Sequence, residues 1–129
     1  MDKRVLTIQD ISCVGQCSLT VALPIISACG IETAILPSSV LSNHTAKGYS
    51  GWTFCDLTDE MPKILERWQK ENIDFSAFYT GYVSKSQIPH ILDIMEKTAR
   101  PNALKVVDPA MADNGKLYAG FDDDFPNEM

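Results

Sequence analysis

The sequence has no apolar run near the ~20 residues that a membrane span needs. Its longest such stretch, Val21–Cys29, is broken by Pro24. The opening residues Met1-Asp2-Lys3-Arg4 carry no apolar signal region and no small-residue cleavage site, so a cytoplasmic protein is expected. Basic residues are scarce: 11 Lys and Arg stand against 17 Asp and Glu, for a net charge of −6. That argues against nucleic acid as a main partner, because phosphate recognition needs a basic face. Asp122, Asp123, Asp124 and Glu128 account for most of the imbalance. It is therefore a property of one end, and no partner follows from it. Cys13, Cys17, Cys29 and Cys55 have no second Cys or His pair at zinc spacing, so thiols are expected rather than ligands. No P-loop, no G-x-G-x-x-G and no G-x-S-x-G occurs, which removes the Walker, dinucleotide-fingerprint and α/β-hydrolase readings. There is no internal repeat and no low-complexity linker.

What is present reads as one globular domain over residues 1–129, with 45% hydrophobic and 22% charged residues. Arg4–Gln9 predicts a β-branched strand, followed by a turn through Gly15. Ser18–Cys29 predicts a helix that Gly30 stops, with Pro24 kinking it or delaying its start. Glu32–Leu36 predicts a strand closed by Pro37, with a further short strand at Val40–Leu41. Residues 42–57 show no period, and an irregular lobe is expected at about 37–57. A helix capped by Thr58 or Asp59 follows, with Pro62 in its first turn and Ile64, Leu65 and Trp68 as its apolar stripe. Phe75–Thr80 predicts a strand. The S-x-x-Q box at Ser84–Gln87 opens a helix with Ile88, Ile91, Leu92, Met95 and Ala99 on one face, stopped by Pro101. Ala103–Val107 predicts the next strand. Strands alternating with helices indicate an α/β domain with a largely parallel sheet.

In such sheets ligands bind at the carboxyl ends of the strands. Three ends carry useful groups: Asp10, Ser12 and Gly15; Thr80, Gly81 and Tyr82; and Asp108 with Asp113-Asn114-Gly115. Two carboxylates beyond a strand end suit Mg²⁺ held directly or through water, with nucleotide phosphates completing its shell. The same residues suit a plain reading, with Asp108 capping a turn beside Pro109 and Asp113 starting an Asp-Asn-Gly turn. Ser42-Asn43-His44-Thr45 suits either a small polar ring or a solvated loop. At the end of the chain, Asp124, Phe125 and Pro126 are helix-start signals. They fit a frayed acidic tail or the front part of a longer protein.

Ile8-Gln9-Asp10 with Gly15, Ser42-Asn43-His44-Thr45, Thr80-Gly81-Tyr82 and the run Val107–Gly115 (VDPAMADNG) occur in the order found in pyridoxal kinases. The chain resembles about the first half of those enzymes, members of the ribokinase-like superfamily. The resemblance implies a three-layer α/β/α fold with a mostly parallel central sheet, here its N-terminal part, and a homodimer at full length. It implies phosphorylation of the hydroxymethyl group of pyridoxal, pyridoxine or pyridoxamine with ATP and Mg²⁺. By position, Asp10, Leu41, Thr45 and Tyr82 match substrate-binding residues, and Asp108 and Asp113 match the acids near the ATP phosphates and the cation. Asp10 stands where several members have Ser, and Ala112 where D-P-V-M-G-D has glycine. The family's catalytic aspartate lies in a C-terminal G-x-G-D segment, and no G-x-G-D occurs here, so the chain is expected to be inactive alone. A parallel sheet cut at that point exposes a strand edge, so instability or self-association is expected too. The alternatives are a hydroxymethylpyrimidine kinase of the same superfamily and a non-catalytic small-molecule-binding module.

Overall fold

The computed structural model describes residues 2–46 and 48–129. In chain order they form β1 (Arg4–Ser12), α1 (Leu19–Ala28), β2 (Glu32–Leu41), β3 (Phe54–Asp56), α2 (Met61–Lys70), β4 (Phe75–Thr80), α3 (Ile88–Thr98), β5 (Ala99–Val107), β6 (Ala112–Asp113), β7 (Lys116–Leu117) and α4 (Phe125–Glu128). Single 3-10 turns at Thr58–Glu60 and Lys85–Gln87 lead into α2 and α3. The main sheet has the order β3-β2-β1-β4-β5. Its pairs are parallel except β2 with β3.

Side chains alternate across β1 as strand geometry requires. Leu6 and Ile8 join Leu36, Phe75 and Phe78 in a core that Met61 and Leu65 of α2 and Ile91, Ile94 and Met95 of α3 close. α1 packs on β1 and β2, and its buried Leu19 and Ala22 stand outside that core. Gln9, next to the core residue Ile8 on β1, shares a groove with Val21 and Ala22 of α1. Helices therefore cover both faces of the sheet.

Several boundaries differ from the sequence expectation, each for a local reason. β1 runs on to Ser12, so Asp10 lies on a strand rather than in a turn. β2 continues through Pro37 because the ladder shifts there: Gln9 pairs with Pro37, but Ile11 pairs with Val40. A bulge is where a strand tolerates a residue without an N–H. β5 likewise passes through Pro101, with Asn102 at φ 63 and a register shift opposite Ser76. Pro24 stays inside α1 on its exposed side. The lobe at 37–57 is not wholly irregular, since β3 pairs with Ser39–Leu41. Three exposed residues gave no alternation to read. In α3 the buried face is Ile91, Ile94, Met95 and Thr98, whereas Leu92 is 60% exposed.

The chain end is not frayed. Phe125 is 1% exposed and Met129 packs against the core. Lys85 forms ion pairs with Asp122 and Glu128. Before it, Asp113-Asn114-Gly115 turns the β6–β7 hairpin with φ 49 and 76 at Asn114 and Gly115, the sign pattern that favours Asn-Gly.

Candidate functional site

The carboxyl ends of β1, β2 and β4 surround a cavity of about 850 Å³. Asp10, Leu41, Thr45 and Tyr82 all line it. Asp10 arrives on β1 and is 7% exposed; Leu41 arrives on β2 and is 5% exposed. Thr45 stands on the lobe. Of its polar run, Ser42 and Asn43 hold the lobe together: the Ser42 hydroxyl accepts the Thr53 N–H at 2.8 Å and Asn43 Nδ2 donates to the Gly51 carbonyl at 3.1 Å. His44 and Thr45 are left to face the cavity. His44 lies directly over Gly15. A Cβ at Gly15, where φ is +99°, would fall 1.8 Å from His44 Cδ2. The lobe reaches the β1–α1 turn only because position 15 has no side chain.

Tyr82 follows β4 through Gly81, which also has no room for a side chain. A Cβ there would meet Gln9 Oε1 at 2.5 Å. The Ser38 hydroxyl, at the β2 bulge, donates to the Tyr82 carbonyl at 2.9 Å. The irregularity that accommodates Pro37 thus also positions a cavity residue. Burial pushes the Tyr82 phenol up, and the charges of Asp10 and Asp56 push it further. Burial also raises the Asp10 carboxyl above the usual carboxylate range, and the Ser18 side chain draws it part of the way back. Ser18 itself stands at φ 49, ψ −123, a conformation that favours glycine.

A second groove of about 460 Å³ adjoins the cavity and shares Cys17, Ser18, Tyr82 and Ala110 with it. Asp108 lines this groove. Its N–H donates to the Thr80 carbonyl at 3.1 Å, which fixes the chain just beyond β5. Asp113 is exposed on β6 and lines neither space. Among the described residues no group of three His, Cys, Asp or Glu is placed to hold a metal ion. Asp108 and Asp113 are exposed carboxylates with hard oxygen atoms, the donor type that Mg²⁺ accepts when it keeps several waters and takes further oxygens from substrate phosphates.

Sequence reasoning missed part of the wall. Asp56 of β3 faces the cavity, as do Tyr118 and Phe121 beyond the hairpin. Asp56 lay in an unpatterned stretch, and Phe121 beside an acidic run. Neither had a local signal.

No family model matches the chain. It is 32% identical to the pyridoxal kinase of Dictyostelium discoideum, over 92% of this chain and 40% of that protein. It is 31% identical to the pyridoxal kinase of Arabidopsis thaliana, over 89% of this chain and 38% of that one. Among solved structures, a candidate phosphomethylpyrimidine kinase from Bacteroides thetaiotaomicron VPI-5482, in a crystal form with pyridoxal, superposes with a TM-score of 0.91 at 44% identity. That match covers 99% of this chain and 44% of the other. The pyridoxal kinase of Lactobacillus plantarum superposes with a TM-score of 0.87 at 33% identity, over 98% and 45% of the two chains. The chain thus spans about 40% of the length of these curated relatives and less than half of the solved ones.

Proposed function

The chain is pyridoxal kinase-like and its fold is ribokinase-like, and from that premise we propose that its cavity holds a vitamin B6 ring for ATP-dependent phosphorylation of the hydroxymethyl group. The observation that carries this reading is the convergence of Asp10, Leu41, Thr45 and Tyr82 on one cavity, with Asp108 on an adjoining groove. A planar, polar ring needs apolar cover and a few fixed polar partners. Leu41 and Tyr82 supply the cover; Asp10 and Thr45 supply the partners. Asp10 accepts a hydrogen bond from a ring or substituent donor. The Thr45 hydroxyl can accept or donate.

Phosphoryl transfer depends on positioning and on charge neutralisation at the phosphates, and Mg²⁺ bound with the nucleotide supplies the latter. Asp108 and Asp113 are the residues that would hold it, directly or through water. Shared lining at Cys17, Ser18 and Tyr82 lets a hydroxymethyl group in the cavity face a γ-phosphate in the groove. In this reading these residues bind and position the ring, the nucleotide and the cation. The remaining features of this reading are a homodimer at full family length and a cytoplasmic setting. Four free cysteines support the latter, as does the lack, among the described residues, of any helix long and apolar enough to cross a membrane.

The second reading is phosphorylation of a hydroxymethylpyrimidine. The name of the Bacteroides relative favours it, while the pyridoxal in that relative's crystal form favours the B6 ring. The experiment is a phosphorylation assay on a polypeptide of full family length that carries this segment. Pyridoxal and the pyrimidine alcohol are offered separately with Mg·ATP. Preference for pyridoxal is expected; preference for the pyrimidine overturns the substrate choice.

A further inference from the structure

The aromatic side of the cavity lies in the segment after the β6–β7 hairpin. Phe121 stacks on Phe125 with ring centroids 3.9 Å apart and planes 12° from parallel. Phe125 is 1% exposed, so its ring is immobilised by packing. Phe125 covers one face of Phe121, and Phe121 also lines the cavity. Tyr82 touches the same ring from the β4 side, at 5.4 Å and 38°. Lys85 pairs with Asp122, between the two rings in sequence, and with Glu128, three residues beyond Phe125. The plane of Phe121 is therefore set before any ligand arrives, and preorganisation of this kind reduces the ordering cost of binding.

We propose that Phe121 is a specificity-determining residue of this cavity, selecting flat, electron-poor heteroaromatic rings, and that Phe125 is the positioning residue that fixes its plane. The proposal rests on the reading of the cavity as a ring site. An aromatic face carries negative charge density, so it favours a ring depleted of electrons by a nitrogen, above all a protonated one. The acidic wall works in the same direction, because Asp10 and Asp56 both face the space. No lysine or arginine lines it among the described residues. An uncharged saturated ring of the same outline fills the volume but gains nothing from the aromatic face.

The test measures binding to the 129-residue chain of three probes: pyridoxine, its uncharged cyclohexane counterpart with the same substituents, and the hydroxymethyl aminopyrimidine. Phe121→Leu should weaken pyridoxine binding by about three- to tenfold and leave the cyclohexane probe unchanged, so the ratio between them falls. Phe121→Tyr should restore the ratio. Phe125→Leu should lower it less, because the ring remains but its plane is released. A loss confined to packing would weaken both probes alike and would overturn the proposal. An unchanged ratio in Phe121→Leu, with pyridoxine still bound, overturns it while leaving the B6 reading intact. If the parent chain binds the pyrimidine and not pyridoxine, and Phe121 governs that affinity, the ring wall stands and the B6 reading falls. If no probe binds the parent chain, both fall. Should Phe121→Leu not fold, Phe121→Met keeps the volume and carries the same comparison.

Discussion

The side-chain amide of Gln87 donates to the Ser38 carbonyl at 2.7 Å, and Gln87 is 1% exposed. Its oxygen accepts the Ser84 N–H at 3.0 Å. Ser38 in turn donates its hydroxyl to the Tyr82 carbonyl. One buried glutamine therefore ties the start of α3 to the β2 bulge and, through it, to a wall of the cavity. Gln87→Leu leaves the Ser84 N–H without that partner, which should cost about 1–3 kcal/mol of stability. It should also weaken ring binding, because Tyr82 loses its fixed support. Urea unfolding with and without pyridoxal checks both effects; an unchanged midpoint contradicts the first.

Gly15→Ala should be more damaging than an added methyl usually is. The new Cβ meets the His44 ring, at a φ that side chains rarely adopt. The backbone term alone should cost about 1–3 kcal/mol. Displacing His44 also breaks the bond from the Ala46 N–H to its Nδ1, 3.1 Å long, and disturbs its edge contact with Tyr49. Thermal melting should fall, and pyridoxal affinity with it, since Thr45 moves with the lobe. Wild-type affinity in the alanine variant would show that the lobe does not shape the cavity.

Asp10 gives a pH signature. Its folded-state carboxyl is raised by burial. The folded state therefore holds the proton more tightly than the unfolded chain does. Stability then falls as pH rises from about 3.9 through the raised value, and stays lowered above it. Asp10→Asn removes that cost. The variant should melt above the parent at neutral pH, with the gap closing below about pH 4. It should bind pyridoxal more weakly, the usual trade between stability and a working site. A variant that is less stable at neutral pH contradicts the assignment.

The strands and helices were legible where a period ran long enough. Phe75–Thr80 matches β4 residue for residue, and the Ser84–Gln87 box marks the start of α3. The misplaced boundaries share a cause. Pro37 and Pro101 read locally as stops, yet long-range pairing carries each strand past its proline at a register shift. Asp10, Leu41, Thr45 and Tyr82 were reached by position through the family resemblance, and all four line one cavity. Phe121 and Asp56 were not, because a cavity wall assembled from distant segments has no sequence period. Phe125 looked like the start of a helix; its stack with Phe121 depends on contacts that only the folded chain creates.

The open edge of β5 predicts self-association. Leu104, Val106 and Val107 are 63%, 44% and 51% exposed on a strand with no outer neighbour among the described residues. Long apolar edges recruit further strands. Sedimentation velocity should show mass rising with concentration, and Val106→Lys should reduce it. A monomer at every concentration with a sharp cooperative melt runs against this expectation.

Asp113→Ala, in a polypeptide of full family length, should weaken use of Mg·ATP by about 10- to 100-fold while leaving pyridoxal affinity nearly unchanged. Asp113 does not line the cavity, so its loss should leave the ring site intact. Steady-state kinetics with each substrate varied in turn separates the two. A rise limited to the pyridoxal KM contradicts the role.

The most direct test of the central claim is calorimetric titration of the 129-residue chain with pyridoxal, with the hydroxymethyl aminopyrimidine as competitor. Asp10, Leu41, Thr45 and Tyr82 all line the cavity, so saturable one-site binding is expected, with preference for pyridoxal and a marked loss in Tyr82→Ala. No binding of pyridoxal, or displacement by the pyrimidine at far lower concentration, would contradict it.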